Sequence, residues 1–156
     1  MKEIILAYQG EMTLKGLNRG KFEAGLAKSI RHRLEDLGPF KVHSAQSTVF
    51  IEPLEDDLDV DEAFRRISKV FGIVKISRAV CCTKDFEDIC RTAEAYLGPR
   101  LRGLRTFKVE AKRADKKYPM KSPEICRELG AYILSHHNYL RVDVHNPQLE
   151  VMVEIR

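Results

Sequence analysis

Hydrophobic residues in the first part of the chain follow first the period of a strand and then that of a helix. Alternation over residues 4–8 predicts a strand. Apolar residues at helical spacing over 22–37 predict a helix, and Gly38, followed by Pro, is a helix-ending signal. Residues 40–44 and 48–51 then predict two short strands joined by a polar turn.

A second helix and a fourth strand follow these elements. Apolar residues recur at helical spacing over 58–71, after acidic residues that favour a helix N-terminus and before Gly72. Residues 73–80 predict a strand. The order strand, helix, strand, strand, helix, strand is that of the ferredoxin-like fold, in which two helices cover one face of an antiparallel sheet. We therefore predict an α+β protein whose residues 1–80 form a ferredoxin-like βαββαβ domain.

Residues 81–156 predict a second, α/β domain. Thr83 is expected to cap a helix that Gly98-Pro99 ends. Ser122 is expected to cap another helix, with Pro123 at the first helical position. The predicted strands of this domain are residues 106–112, 140–144 and 149–155, the last two linked by the turn dipeptide Asn146-Pro147.

The composition is that of a packed, water-soluble protein. The chain has 156 residues, of which 44% are apolar, and its longest apolar runs are too short to cross a hydrocarbon core of about 30 Å. The N-terminal segment carries an acid and soon becomes polar, so it does not resemble a signal peptide. We therefore expect a cytoplasmic protein with no membrane partner.

The net charge of +4 is modest, but the charges are unevenly distributed. The acidic segment Glu52–Glu62 has seven acids and no Lys or Arg, whereas Arg100–Lys121 has nine Lys and Arg against two acids. Clustered positive charge is typical of proteins that bind polyanions, although a solvated basic surface has the same composition. The acidic segment is assigned a structural or solubility role, because it surrounds a helix start and lacks the spacing of a calcium loop.

Three kinds of phosphate-binding group converge just before the helix expected at Ser122. Lysines and arginines over 112–121 lie beside the backbone N–H groups of the helix start and the Ser122 hydroxyl. Tyr118 adds a ring that could stack on an unpaired base. A second basic loop, Lys15–Lys21, opens the first long helix, where Asn18 could instead be a helix cap. The candidate RNA-binding residues are Lys15, Asn18, Arg19, Lys21, Arg100, Arg102, Arg105, Lys112, Arg113, Lys116, Lys117, Tyr118, Lys121 and Ser122.

No residue is predicted to be catalytic, to ligate a metal or to bind a cofactor. Cys81, Cys82, Cys90 and Cys126 form no Cys-x-x-Cys pair, and structural thiols are the expectation. The sequence contains no G-x-S-x-G, H-E-x-x-H, Walker or Rossmann motif. It also lacks the Ser-Gly-Gly-x-Asp-Ser loop with which one class of adenylating enzymes holds the pyrophosphate of ATP.

Several stretches resemble the tRNA 4-thiouridine synthetase family. Residues 10–22 are similar to the G-E-I-x-L-K-G-x-N-R-x-x-F segment near the start of these enzymes, with Met12 in place of the usual Ile. Residues 107–124 are similar to the core of their THUMP domain, an RNA-binding module. Residues 142–156 resemble the closing hairpin of that domain. The resemblance covers essentially the whole chain in consistent order.

The resemblance implies that a ferredoxin-like domain over 1–80 and a THUMP domain over 81–156 together hold the acceptor end of tRNA. Helix 58–71 and strand 73–80 can also be counted with THUMP. The RNA-holding role is carried over onto Lys15, Asn18, Arg19, Lys112, Arg113, Lys116, Tyr118 and Ser122.

The resemblance also implies chemistry that this sequence does not contain. In the family a further domain uses ATP to adenylate uridine 8 and accepts sulfur relayed from a cysteine desulfurase, so the full-length protein would be a sulfurtransferase. Some members also serve thiamine synthesis. A homodimer would let one subunit hold the tRNA while the other modifies it.

Two other function classes are left open by the sequence. A protein-interaction module could dock a basic partner on the acidic segment. A small acyl or phosphoryl hydrolase could use Lys15–Arg19 as an anion cradle, with Glu11 or Asn18 as the reacting group.

RNA binding of this kind predicts an affinity that falls steeply with salt. If roughly four to six phosphates are neutralised, the log–log slope should be about −3 to −5. Alanine at Arg113 or at Lys116 is each expected to reduce this slope by about one unit while leaving the melting temperature nearly unchanged.

Overall fold

The structure, a computed structural model, describes residues 2–10 and 19–156, with the backbone alone for Arg19. It divides into two compact units, Met1–Cys81 and Cys82–Arg156, and each has its own hydrophobic core. Both units mix helices and strands, which confirms the predicted α+β class. Among the described residues, no helix combines the length and the hydropathy needed to span a membrane.

The first unit has the predicted order of elements. These are β1 (Glu3–Gln9), α1 (Arg19–Leu34, followed by a 3-10 turn at Glu35–Leu37), β2 (Phe40–Ala45), β3 (Thr48–Pro53), α2 (Val60–Ile67) and β4 (Ile73–Val80). The strands form one antiparallel sheet in the order β2-β3-β1-β4. The ferredoxin-like prediction is therefore confirmed.

The core of the first unit lies between the sheet and its two helices. Ile5 and Ala7 of β1 are buried together with Ile51 of β3. Ile30 of α1 and Ile67 of α2 complete this cluster and have no exposed surface. Because successive strand residues point to opposite faces, the intervening positions of β1 and β3 form the other face of the sheet.

The structure corrects the end of the second helix. α2 ends at Ile67 rather than Phe71, because the chain turns at Ser68, whose hydroxyl donates back to the last turn. Phe71 lies beyond the helix and is 89% exposed, so it is not a core residue. Asp59 caps the start of α2 by accepting a hydrogen bond from the Glu62 N–H at 3.0 Å. This is the structural use of acids expected at that helix start.

The second unit contains two helices and a small parallel sheet. Its elements are α3 (Phe86–Leu101), β5 (Thr106–Arg113), α4 (Ser122–His136), β6 (Arg141–Val142) and β7 (Leu149–Ile155). The strand order is β6-β5-β7, and both outer strands run parallel to β5. Because β6 and β7 lie on opposite sides of β5, the hairpin expected over residues 142–156 is not formed.

The boundaries of α3 also differ from the prediction. The helix continues through Gly98-Pro99 to Leu101, which is fully buried in the core. This burial offsets the one hydrogen bond that a proline removes near a helix end. Thr83 does not cap α3, because Asp85 occupies that position and the Thr83 hydroxyl donates to the Asp88 carboxylate at 2.7 Å.

Candidate nucleic-acid interface

The predicted phosphate-binding loop lies at the carboxyl ends of two parallel strands. Residues 114–121 lead from the end of β5 into α4, beside the end of β7. The Ile155 carbonyl accepts hydrogen bonds from the N–H groups of Ala114 and Asp115, at 2.7 and 3.1 Å. Open α/β sheets bind ligands at this edge.

Asp115 fixes the conformation of the loop. One carboxylate oxygen receives the Lys84 ammonium at 2.7 Å, and the other accepts a hydrogen bond from the Lys117 N–H at 3.0 Å. These contacts, the Lys84 hydrogen bond first, hold the pKa of Asp115 below its usual range. The only acid of the loop is thus already engaged inside the unit.

Tyr118 is a core residue and not a stacking ring. Its side chain is 9% exposed and packs in a small cluster with Ile89, Ile125 and Ile155. Its hydroxyl donates to the Lys84 carbonyl at 2.7 Å, and burial raises the pKa of the phenol. The prediction that Tyr118 stacks on an unpaired base is therefore wrong. The buried ring instead attaches the loop to the core of the second unit.

Arg113 also supports the loop. Its Nη1 donates to the Tyr118 carbonyl at 3.1 Å, and its Nε atom is buried without a hydrogen-bond partner. Removing this side chain would take a hydrogen bond from the loop backbone. The expectation that Arg113→Ala leaves the melting temperature unchanged does not hold for this geometry.

Four lysines remain on the outer surface of the loop and its flanks. We call Lys112, Lys116, Lys117 and Lys121 the lysine rim. All four are exposed, and within residues 2–10 and 19–156 none of their ammonium groups has an ion-pair partner. Their charge is therefore available to a ligand.

The N-terminus of α4 lies next to the lysine rim. Lys121, not Ser122, is the capping residue, and its carbonyl accepts the first intrahelical hydrogen bond from the Ile125 N–H at 3.0 Å. Ser122 is thus the first helical residue, and no side chain caps the helix. The N–H groups of Ser122 and Glu124 precede that first bond, and such groups are the donors that bind phosphates at helix N-termini.

The predicted basic stretch Arg100–Lys121 is split between the two ends of β5. Arg105 precedes the strand and Lys112 lies near its end, so seven residues at roughly 3.3 Å each place them about 23 Å apart. Arg100 and Arg102 are at the end of α3, on the Arg105 side. The guanidinium of Arg105 lies 5.9 Å from the Tyr139 ring centroid. One continuous basic surface is therefore not formed.

The second predicted basic loop falls largely outside the described residues. This holds for Lys15, Asn18 and the Arg19 side chain. Lys21 is exposed in the first turns of α1. RNA contacts at these four residues stay a prediction.

The acidic segment is used within its own unit. Glu62 accepts hydrogen bonds from Arg65 and Arg66, which lower its pKa to about 2. Asp61 pairs with Arg78, and Glu52 pairs with Lys2. These contacts are the structural role that the sequence predicted.

Three of the four cysteines have thiols that are not activated. Burial raises the thiol pKa of Cys81, Cys90 and Cys126, which disfavours the reactive thiolate. Among the described residues no three His, Cys, Asp or Glu side chains are grouped as metal ligands.

Lys84 supports the loop through contacts that the sequence did not reveal. It holds the Asp115 carboxylate and the Tyr118 hydroxyl, which lie 31 and 34 residues further along the chain. No local pattern connects positions so far apart. Only the packing of α3 beside the loop brings them together.

Comparison with known proteins identifies the family. Residues 3–77 match the family model of the ThiI ferredoxin-like domain, and residues 83–156 match that of the THUMP domain. The two matches together span nearly the whole chain, which therefore consists of a ThiI ferredoxin-like domain followed by a THUMP domain. The resemblance seen in the sequence is thereby confirmed.

Relatives and solved structures agree with this assignment. The probable tRNA sulfurtransferases of Alkaliphilus metalliredigens and Acetivibrio thermocellus are 47% and 44% identical, over all of this chain and 40% of each relative. A crystal structure of a 4-thiouridine synthetase–RNA complex with bound ATP has a TM-score of 0.82 and 33% identity, covering 100% of this chain and 39% of that one. PH1313 from Pyrococcus horikoshii has a TM-score of 0.86 and 31% identity, covering 99% and 51%. The chain thus spans about 40% of the length of these curated relatives.

Proposed function

We propose that this chain binds the acceptor end of tRNA, with the lysine rim and the N-terminus of α4 contacting phosphates. The observation that carries the proposal is which charged side chains of the loop are in ion pairs and which are not. Asp115 is engaged by Lys84, whereas the rim lysines have no ion-pair partner among the described residues. The similarity to a 4-thiouridine synthetase in complex with RNA supports RNA as the polyanion.

Binding at this surface would depend on the sugar–phosphate backbone more than on the bases. Each lysine that neutralises a phosphate releases condensed counterions, which supplies affinity without reading sequence. Hydrogen bonds already fix the backbone conformation of the loop in the absence of RNA. Little conformational entropy is therefore lost on binding, and the rim can select RNA by the geometry of its phosphates.

The whole protein would carry out the chemistry in a region beyond these two domains. We propose that it is an ATP-dependent sulfurtransferase that thiolates uridine 8 of tRNA, with a cysteine desulfurase as sulfur donor and a homodimer as the working form. In this proposal ATP is bound in that further region, since the Ser-Gly-Gly-x-Asp-Ser loop of one class of adenylating enzymes is not in this sequence. The role of this chain is to hold the RNA.

A salt titration tests the proposal. An RNA minihelix that copies the acceptor stem and its single-stranded 3′ end is titrated with the chain in a filter-binding assay. We expect a log–log slope of about −3 to −5, as for about four to six phosphate contacts. A blunt minihelix without the single-stranded end is the matched control and should bind more weakly. A slope near zero would refute the proposal.

The other two function classes receive no support from the described residues. Of the seven acids that a protein-interaction module would offer from the acidic segment, Glu52, Asp61 and Glu62 are already paired within the unit. The anion cradle of a hydrolase would lie at Lys15–Arg19, which the structure does not describe.

A further inference from the structure

Four arginines cluster at the start of β5, at the far end of that strand from the lysine rim. Arg100 and Arg102 lie at the C-terminus of α3, and Arg105 directly precedes β5. Arg141 is the first residue of β6, and its N–H donates to the Arg105 carbonyl at 2.8 Å. We call these four residues the arginine cluster. Arg141 is not among the residues predicted to bind RNA, because only folding brings it beside Arg105.

The charges of the arginine cluster are available to a ligand. All four residues are exposed, and in the part of the chain that the structure describes none of their guanidiniums has an ion-pair partner. Two acids on this side of the unit are engaged by other groups. Glu94 lies 2.8 Å from Nε2 of the His137 ring. Asp143 accepts hydrogen bonds from the N–H groups of His145 and Asn146, both at 3.0 Å.

Only half of the cluster is explained by the stability of a helix. Cations near a helix C-terminus interact favourably with the helix dipole, which accounts for Arg100 and Arg102 at the end of α3. Arg105 and Arg141 lie outside any helix. Two exposed positive charges on adjacent backbone segments repel each other, so a bound anion would stabilise this arrangement.

Arg105 is oriented by a ring that is itself fixed. The Arg105 guanidinium lies 5.9 Å from the centroid of the Tyr139 ring, and a contact of this kind positions a cation without neutralising its charge. The Tyr139 hydroxyl donates to the Leu101 carbonyl at 3.1 Å and lies 2.9 Å from Nδ1 of the buried His137 ring. The cation is therefore partly preorganised, which lowers the entropy cost of binding.

The length of β5 separates the two cationic groups of the second unit. About 23 Å lies between Arg105 and Lys112, at roughly 3.3 Å per residue. A ligand that contacts both groups must carry phosphates over that distance. A double-stranded stem meets this requirement, because both of its strands present phosphates along the whole helix axis.

We propose that Arg105 and Arg141 contact phosphates of the double-stranded acceptor stem, while the lysine rim holds the single-stranded end of the same RNA. This inference rests on the proposed function and adds to it a second point of contact and a direction for the stem. Guanidiniums present paired N–H donors that match phosphate oxygens. Two contacts on one ligand reinforce each other, because the first raises the effective concentration of phosphate at the second.

Filter binding of the minihelix to single-arginine variants tests the second contact. Arg105→Ala and Arg141→Ala should each reduce the log–log salt slope by about 0.7–0.9 and weaken binding about five- to eightfold at about 0.1 M salt. Arg127→Ala is the matched control, because Arg127 is an exposed arginine of the same unit that lies 3.4 Å from the Glu128 carboxylate. It removes the same formal charge and should leave the slope unchanged.

A trinucleotide separates the bridging of both groups from a general effect of charge. It carries two neighbouring phosphates, which cannot reach both ends of β5. Its binding, followed by NMR chemical shifts of the amides of residues 114–121 at low salt, should be the same in the wild type, Arg105→Ala and Arg141→Ala. If the arginine variants weaken the trinucleotide as much as the minihelix, the inference is overturned.

The outcome for the arginines can be told apart from that for the lysine rim. A wild-type slope near zero would refute both the proposed function and this inference. A slope of about −3 to −5 that falls in Lys116→Ala with Lys117→Ala, but not in Arg105→Ala or Arg141→Ala, would refute the arginine contact alone. Should Arg105→Ala fail to fold, Arg141→Ala decides, because Arg141 is exposed on an edge strand.

Discussion

The acidic segment of the first unit and the loop at 114–121 of the second use charge in opposite ways. In the first unit, Glu62 binds Arg65 and Arg66, and Arg66 also reaches Asp36 at 2.6 Å. Three of the seven acids of the segment, Glu52, Asp61 and Glu62, are thus paired with cations of the same unit. In the loop, the only acid is held by Lys84 from outside, and the lysine rim keeps its charge.

This difference shows that charge density alone does not mark an interface. Both segments are conspicuous in the sequence, yet the pairing partners decide which one can attract a ligand. An exposed ion pair contributes little to stability, but it removes both charges from the long-range field. Lysines without partners can neutralise phosphates and so release the counterions condensed on the nucleic acid, which is the main source of affinity for a polyanion.

The largest effect is expected from neutralising the lysine rim. Lys116→Ala with Lys117→Ala should weaken minihelix binding by about 25- to 60-fold at about 0.1 M salt and reduce the slope by about 1.4 to 1.8, at 0.7–0.9 per contact. Filter binding at several salt concentrations measures both quantities.

A matched charge change in the first unit gives the control for this result. Arg65→Ala with Arg66→Ala removes the same formal charge, but those guanidiniums are already paired. It should lower the melting temperature and leave RNA affinity nearly unchanged. Equal losses of affinity in both double variants would mean that net charge, and not the rim, governs binding.

A smaller effect is expected from the hydroxyl that anchors the loop. Tyr118→Phe keeps the ring in its cluster but removes the hydrogen bond to the Lys84 carbonyl, at a cost of about 1 kcal/mol in the free energy of unfolding. Denaturant unfolding measures this loss. Tyr132→Phe is the control, because no hydrogen bond of the Tyr132 hydroxyl is found among the described residues. An unchanged stability in Tyr118→Phe would show that the hydrogen bond of the Tyr118 hydroxyl does not stabilise the fold.

The smallest effect is expected from the ion pair between Lys84 and Asp115, and it should depend on pH. The Lys84 hydrogen bond holds the pKa of Asp115 in the folded state below the ordinary aspartate value of about 3.9. The pair therefore stabilises the fold above that value, and its contribution is lost as the pH falls through the folded pKa.

Melting temperatures measured against pH test this dependence. Asp115→Asn should melt below the wild type at pH 7, and the difference should shrink as the pH falls below about 4. Lys84→Ala should show the same convergence, because it removes the other half of the pair. A difference that stays constant down to pH 3 would contradict a role for the charge.

The local sequence pattern predicted which segments form helices and strands. It failed at positions where contacts with residues distant in the sequence compete with the local preference. Asp59 caps α2 as the acids at that position predict. Gly98-Pro99 does not end α3, because the burial of Leu101 prevails over a local stop signal. Tyr118 lies in a basic stretch, which is typical of a ring that stacks on a base. It is nevertheless buried, because its hydroxyl donates a hydrogen bond to the Lys84 carbonyl and its ring packs in an apolar cluster with residues of other elements.

The order of helices and strands, the ferredoxin-like topology of the first unit and the family resemblance could all be predicted from the amino-acid sequence, because they depend on periodicity and on motifs a few residues long. Which charges remain available to a ligand depends on contacts that form only when the chain folds. An ion pair such as that of Lys84 and Asp115 joins residues 31 positions apart, and Coulomb attraction acts over the few ångströms that folding creates. The exposed lysine rim is a product of that folding.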